Sequence, residues 1–489
     1  HTYQVEVVLG IAEGVEGAPA ITPCSAEPGA SPGGLSNAAT VEHNDLTDDA
    51  TACVAIAYIV VDKSISAGPT PNGDGTWTIV YDVVAENVGG ESGEYDVFDR
   101  LHYGDGIEIL DAAVTTAPDG VETNAGWTGR GAETSDPENL VASGVELAAG
   151  ATHTYQVEVT VQMDEATIDP ADLQCPPPGS GANGGLANSA SLDHNGIVAE
   201  DGVCASLPLI GIEKSISAGP TPNGDGTWTI TYDLVAANTG QAAGDYDVVD
   251  RLLYGEGVVV ESAAITSAPD GVEPETGWTG QGAAGSADNL VAAGVTLDAG
   301  ATHTYQVQVV VSLDREVVTP EALQCPEPGS GENGGLANAT ELTHNGETRG
   351  DDVCATLPLV DVTKTVSAGP TPNGDGTWTV TYDVVATNAG AADGTYEVTD
   401  RMTADGDLEV RSGAVVTAPD GVTPNAAWTG LGAEGAPENV IASGVVLPAG
   451  GTHTYQVEVV LGIAEGVEGV PVITPCSAEP GASPGGLSN

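Results

Sequence analysis

Apolar residues recur at every second position through much of the chain. Trp77, Ile79, Tyr81, Val83 and Ala85 alternate with Thr78, Val80, Asp82 and Val84, and Tyr155, Val157, Val159 and Val161 continue the pattern. A period of two sends alternate side chains to opposite faces of an extended backbone, so these segments are half-buried β-strands. Amphipathic helical stripes with caps are nearly absent. Turn signals such as Asn72-Gly73-Asp74-Gly75 stand before the strands, and the chain holds 67 glycines and 31 prolines. Together these predict an all-β protein built of antiparallel β-sandwiches.

The pattern repeats. Lys-Ser/Thr-Ile/Val-Ser-Ala-Gly-Pro-Thr-Pro-Asn-Gly-Asp-Gly-Thr-Trp-Thr begins at Lys63, Lys214 and Lys364, and His-Thr-Tyr-Gln-Val recurs at His1, His153, His303 and His453. A period of 150 to 152 residues matches an independent domain rather than a solenoid unit, so each repeat buries its own core. The expected modules are 59–209, 210–359 and 360–489, the last read as truncated at its C-terminal end, with 1–58 as the C-terminal part of another. Residues 1–37 match 453–489 except at Ala18 and Ala20, which face Val470 and Val472. Between Cys204 and Lys214 stand only Ala-Ser-Leu-Pro-Leu-Ile-Gly-Ile-Glu. Proline and β-formers in so short a junction predict modules stacked end to end as a stiff rod.

Charge and cysteines narrow the setting. Seventy-one acidic residues against ten basic ones give a net charge of −61, a field that repels phosphate backbones and excludes nucleic acid as a partner. Cys24 and Cys53, Cys175 and Cys204, and Cys325 and Cys354 are each 29 residues apart, while Cys476 has no cysteine after it. One pair per repeat without Cys-x-x-Cys spacing reads as a disulfide, which implies an oxidising, extracellular or cell-surface location. Closing such a loop is worth about 3 kcal/mol.

Only three lysines exist, one per repeat. Lys214 shares strand parity with Ile210, Ile212 and Ile216, as Lys63 does with Ile59, Val61 and Ile65, and Lys364 with Val360, Val362 and Val366, so each faces the apolar side. A buried ammonium must pair with a carboxylate or lose its proton. Asp99, Asp250 and Asp400, always 36 residues after the lysine, have inward parity with Tyr95 and Val97 and their equivalents. Asn188, Asn338 and Asn489, 124 or 125 residues after the lysine, supply an inward carboxamide and bring first and last strands within reach. A neutral amine attacks the asparagine carbonyl carbon while a protonated aspartic acid polarises it and shuttles protons until ammonia leaves. The product is an isopeptide bond, formed once and without a cofactor. A noncovalent Lys–Asp pair capped by the amide has the same parity. Asn87, Asn238 and Asn388 are rival amide donors, or else shape the turns that follow them.

The lysine start, the Asn-Gly-Asp-Gly-Thr-Trp-Thr-Val-Thr-Tyr-Asp strand, the Val-x-Asp-Arg stretch at Asp400, the Ala-Gly-x-Thr-His-Thr-Tyr strand and the closing Gly-Gly-Leu-Ala-Asn resemble the immunoglobulin-like conserved repeat domains of large bacterial surface proteins. The resemblance covers the whole chain. It implies tandem immunoglobulin-like β-sandwich modules of an adhesin, stalk or fimbria-like protein. Related pilin and collagen-adhesin modules carry Lys–Asn isopeptides assisted by Asp or Glu, which implies those roles for Lys214, Asp250 and Asn338 and their counterparts.

Other constellations read as structure. Asn72–Gly75 lacks the spaced oxygen ligands of a calcium loop and reads as a hairpin turn. The repeated histidines lack metal-ligand spacing, so no metal is expected. Arg100, Arg251 and Arg401 read as surface or interface ion-pair residues, and Trp77 and Trp127 as packing rather than a sugar platform. No catalytic triad, phosphate loop or open metal site is found, so no enzyme beyond self-crosslinking is expected. Two readings remain: a structural filament whose partners are its own copies or neighbouring modules, or an adhesin binding a host or surface ligand. No membrane span is read in this segment, which says nothing of a longer protein.

Overall fold

The computed structural model describes residues 1–10, 24, 34–404, 406–468, 471 and 487–488. Alternation becomes strand throughout the three repeats, whereas residues 1–10, which open on the same His-Thr-Tyr-Gln-Val run, form no strand. A hairpin of β1 (Leu35–His43) and β2 (Leu46–Val54) comes first. Eight strands follow: β3 (Ile59–Pro71), β4 (Thr76–Asn87), β5 (Gly93–Leu101), β6 (Ile107–Thr116), β7 (Leu140–Leu147), β8 (Thr152–Met163), β9 (Asn188–His194) and β10 (Ile197–Val203). They form two antiparallel sheets, β3-β4-β8-β6 and β10-β9-β5-β7.

The next eight repeat this arrangement: β11 (Ile210–Pro222), β12 (Thr227–Asn238), β13 (Gly244–Tyr254), β14 (Val258–Ser267), β15 (Leu290–Leu297), β16 (Thr302–Leu313), β17 (Leu336–His344) and β18 (Glu347–Val353). Their sheets are β11-β12-β16-β14 and β15-β13-β17-β18. The last set is β19 (Val360–Pro372), β20 (Thr377–Asn388), β21 (Gly394–Thr399), β22 (Thr403–Ala404), β23 (Leu408–Thr417), β24 (Val440–Leu447), β25 (Thr452–Ile463) and β26 (Leu487–Ser488). Here β19-β20-β25-β23 is complete, and among the described residues the second layer holds the pairs β21-β24 and β22-β26.

Each core lies between its two layers. In the first, Tyr81, Val83, Tyr155 and Val157 of one sheet and Tyr95, Val97 and Leu192 of the other are all essentially inaccessible to water. At roughly 25 cal/mol per Å² of apolar surface, an aromatic and aliphatic layer of this kind dominates the stability of a sandwich. The tandem β-sandwich architecture is therefore the one the alternation predicts, and among the described residues the only helices are four short 3₁₀ turns.

Two expectations need correction. The asparagine strand is not the last of its sandwich, because β10 and β18 follow β9 and β17 as hairpin partners. The inward parity of the third lysine strand also fails in part: Val362 is 63 % and Val366 57 % exposed. In the first two sandwiches that face is covered by β9–β10 and β17–β18, and β19 has no such cover among the described residues.

The first two sandwiches meet through a specific contact. The Asn345 side chain accepts from Gly73 N at 2.7 Å and donates to the Thr76 carbonyl at 2.9 Å, while Gly75 N donates to the Asn345 carbonyl at 2.7 Å. Gly346, at φ +82°, leaves no room for a side chain: a Cβ there lies 2.2 Å from the Gly73 carbonyl oxygen. Arg349 pairs with Glu165 across the same junction, and His344 lies against Trp77. Trp77 is buried, whereas its counterparts Trp228 and Trp378 are only half-buried.

Candidate crosslinking site

The repeated lysine and aspartate sit on opposite sheets, so their contact spans the sandwich. Lys63 on β3 stands opposite Val83 in register, and Asp99 on β5 stands opposite Ala190 of β9. Lys63 Nζ donates to Asp99 Oδ2, Lys214 Nζ to Asp250 Oδ1 and Lys364 Nζ to Asp400 Oδ1. Both side chains are wholly out of water in the first two pairs, but Lys364 remains 22 % exposed.

The surroundings hold each pair in place. The ammonium lies over the ring of Tyr81 at 5.0 Å, of Tyr232 at 5.1 Å and of Tyr382 at 4.9 Å, a cation–π contact that partly replaces lost hydration. Trp127, Trp278 and Trp428 each donate an indole N–H to the backbone carbonyl of the aspartate, at 3.0, 3.0 and 3.1 Å. The backbone N–H of Lys63 donates to Asp201, and that of Lys214 to Asp351, both at 2.7 Å. Those two aspartates belong to β10 and β18 and tie the lysine strand to the final hairpin.

Burial pushes all three lysines below the usual lysine range, against the pull of their aspartates. Burial likewise pushes Asp250 up, against Lys214. Both displacements favour the same proton transfer, from Nζ to carboxylate, which leaves an amine beside a carboxylic acid.

The asparagines are placed as parity predicts. Asn188 stands opposite Leu101 and Asn338 opposite Leu252, both buried. Among the described residues neither Nδ2 nor Oδ1 of Asn188 has a hydrogen-bond partner, and Asn338 Oδ1 also lacks one. Asn338 Nδ2 donates to Asp250 Oδ2 at 3.3 Å. A buried polar group left without a partner costs about 1–3 kcal/mol, so an idle carboxamide at this place calls for a reason. Asn489 lies outside the described residues.

The rival asparagines are fully engaged. Asn87 Oδ1 accepts from Tyr58 N and Gly89 N, and its Nδ2 donates to the carbonyls of Glu91 and Leu147. Asn238 and Asn388 repeat this pattern, so these residues shape the turn. Asp74 accepts from Thr76 N and Oγ1, a hairpin Asx turn. His153 Nδ1 bonds the Tyr95 hydroxyl at 2.9 Å, and Tyr95 bonds Tyr155 at 2.8 Å, a structural triad repeated at Tyr246 and Tyr396. Arg100 donates to the Gly131 carbonyl in place of the expected ion pair. The disulfides Cys24–Cys53, Cys175–Cys204 and Cys325–Cys354 are formed.

The tyrosine under the ammonium, the indole anchor and the β10 aspartate were not singled out from sequence. Tyr81 and Trp127 carry apolar signals that read as packing. Asp201 and Asp351 follow their lysines by 138 and 137 residues, a recurrence that alignment of the repeats could have exposed.

No family model and no curated protein matches the chain. Solved structures with some likeness include an Escherichia coli alpha-2-macroglobulin activated by porcine elastase, at 12 % identity and TM-score 0.17, covering 86 % of this chain and 31 % of that one. The chain thus spans about a third of that protein's length. A C-terminal fragment of the major pilin GBS80 of Streptococcus agalactiae shows 8 % identity and TM-score 0.20 over 61 % of this chain and 91 % of that one. A biofilm-associated protein BSP domain shows 10 % identity and TM-score 0.15 over 84 % and 94 %. Likenesses at this level fix neither family nor function.

Proposed function

We propose that this chain is a load-bearing segment of an extracellular filament, stalk or fimbria-like surface protein, each module locked by one disulfide and one Lys–Asn isopeptide. The observation that carries this reading is the buried Asn188 carboxamide, idle beside the strand that holds the fully buried Lys63–Asp99 pair. The disulfides support an oxidising exterior. Among the described residues no helix is long and apolar enough to cross a membrane.

The chemistry balances without a cofactor. Lys214 passes a proton to Asp250 and becomes a neutral amine. Nζ attacks Cγ of Asn338 while the Asp250 acid hydrogen-bonds the carboxamide oxygen. The proton lost from Nζ returns through Asp250 to the departing amide nitrogen. An Nζ–Cγ bond has replaced Cγ–Nδ2, ammonia has left, and Asp250 ends protonated. Burial favours the neutral starting pair.

The adhesin alternative asks for an aromatic patch on each module. All six tryptophans are buried or half-buried, which favours the structural reading. Single-molecule pulling tests it: a locked module transmits force from the lysine to the asparagine and hides the 123 residues between Lys214 and Asn338. Unlocked, that stretch releases roughly 400 Å. Release of that length from the second module of the wild-type chain overturns the proposal.

A further inference from the structure

The outer faces of the first two sandwiches differ at one place. Arg100 of β5, Ser189 of β9 and Gly202 of β10 stand side by side in register, where the second sandwich has Arg251, Ala339 and Asp352. Asp352 Oδ1 accepts from Gly329 N at 2.7 Å and so ties the loop after Cys325 to the sheet. Gly202 has no side chain to do this. The loop after Cys175 is nevertheless laid out in the same way. Gly179 and Gly329 share a φ of 72°, Gly181 and Gly331 lie at 65° and 68°, and Ser180 N and Ser330 N each donate to the carbonyl three residues back at 3.1 Å. Gly179 N, the counterpart of the N–H that Asp352 engages, has no protein partner among the described residues. Between this loop and the sheet lies a cavity of 270 Å³.

The cavity wall is polar where the second sandwich is apolar. His102 stands at the place of Leu253, and Ser189 at that of Ala339. His102 is 4 % exposed, and its Nε2 lies 2.5 Å from Ser189 Oγ. Burial and Arg100 keep the imidazole neutral at pH 7. Its Nδ1 is buried with no hydrogen-bond partner among the described residues, so the ring proton belongs on Nε2. There it donates to Ser189 Oγ and leaves the hydroxyl hydrogen free for a ligand. Arg100, whose Nε bonds the Gly131 carbonyl, brings positive charge to the same wall.

We propose that this cavity binds a carboxylate, which takes the place that the Asp352 side chain fills in the second sandwich. Gly179 N and the Ser189 hydroxyl donate to its oxygens, and the Arg100 guanidinium supplies the countercharge. The neighbouring acids are compatible with it. Glu200 stands opposite Ser191, and the second sandwich likewise holds one glutamate, Glu341 opposite Gly350, beside Asp352. Asp201 is turned to the Lys63 backbone N–H. A volume of 270 Å³ falls just below the roughly 300–1,000 Å³ of sites for drug-sized ligands, which suits a short-chain acid or the end of an acidic side chain. Binding there requires no crosslink, since neither Lys63 nor Asp99 takes part.

Saturation-transfer NMR titration of the full chain tests this, at about 0.15 M salt, where the net charge is screened beyond roughly 8 Å. The probes are butyrate, its neutral isostere butyramide, and acetyl-aspartyl amide. One or both carboxylates are expected to bind, and the tighter of the two tells a free acid from a peptide side chain as the source. Gly202→Asp is expected to weaken binding at least about tenfold, because its own carboxylate then reaches Gly179 N. A Cβ at Gly202 comes no nearer than 3.3 Å to the Asn188 carbonyl oxygen, so the strand accepts the side chain. Gly202→Ala, which adds the Cβ without the carboxylate, is expected to bind as the wild type does. Ser189→Ala installs the residue found at 339 and is expected to weaken binding about tenfold, the loss of one hydrogen bond to a charged group. Binding by neither carboxylate, butyramide binding as tightly as butyrate, Gly202→Asp and Gly202→Ala behaving alike, or Ser189→Ala without effect overturns the proposal.

Discussion

Asn338→Ala separates a covalent lock from a buried ion pair, because it leaves Lys214 and Asp250 untouched. Noncovalently, Asn338 contributes one long hydrogen bond to Asp250 and an oxygen with no partner. Losing that bond costs about 1 kcal/mol, offset by relief of the unsatisfied oxygen. A crosslink from Lys214 to Asn338 instead closes a loop of 124 residues. By the chain-entropy relation for crosslinks, such a loop stabilises the module by about 5 kcal/mol. Hydrogen exchange measured by mass spectrometry on peptides from β13 and β17, in urea that brings opening into range, reads the difference. The covalent account predicts that core amides exchange roughly 10³- to 10⁴-fold faster in the variant. A change of less than about tenfold, consistent with a hydrogen bond alone, refutes the reasoning.

Asp250→Ala blocks the crosslink and leaves Lys214 buried without its carboxylate; the second module is expected to keep its ammonia and to lose the roughly 5 kcal/mol of the lock together with about 3–5 kcal/mol for the stranded partner, checked by intact mass and calorimetry. His102 is held at about 4, below its usual 6.5, by burial and by Arg100. The unfolded chain therefore binds the proton first, and stability present above pH 6.5 is lost as pH falls toward 4. His102→Leu, the residue found at 253, is expected to flatten this slope in calorimetric scans between pH 7 and pH 4.5. Asn345→Ala removes two hydrogen bonds across the first junction, worth about 1 kcal/mol each. Small-angle scattering is expected to show a wider range of inter-module angles, and emission from Trp77 to shift to the red, without change in module stability.

Strand identity and the inward-facing lysine, aspartate and asparagine were legible because a period of two maps directly onto the faces of a sandwich. Asp99 and Asn188 were found by asking which polar residues shared parity with apolar ones. The ion pair across the layers follows from that parity and from the repeat. Less could be read where parity carries no information. The β10 aspartate sits on a strand whose exposed positions hide its alternation, Arg100 bonds a carbonyl supplied by a distant loop, and the contact at Asn345 depends on two sandwiches meeting. The exposure of Val362 and Val366 was invisible for a different reason: strand pattern states which face turns inward, not whether another hairpin covers it.

The central claim is that amine, acid and carboxamide fuse within each complete sandwich. Intact mass of the reduced, denatured wild-type chain, followed by mapping of branched peptides, tests it most directly. The account predicts the loss of one ammonia at Lys63–Asn188 and one at Lys214–Asn338, each absent from the corresponding Lys→Ala variant. An unmodified mass from correctly folded protein contradicts it.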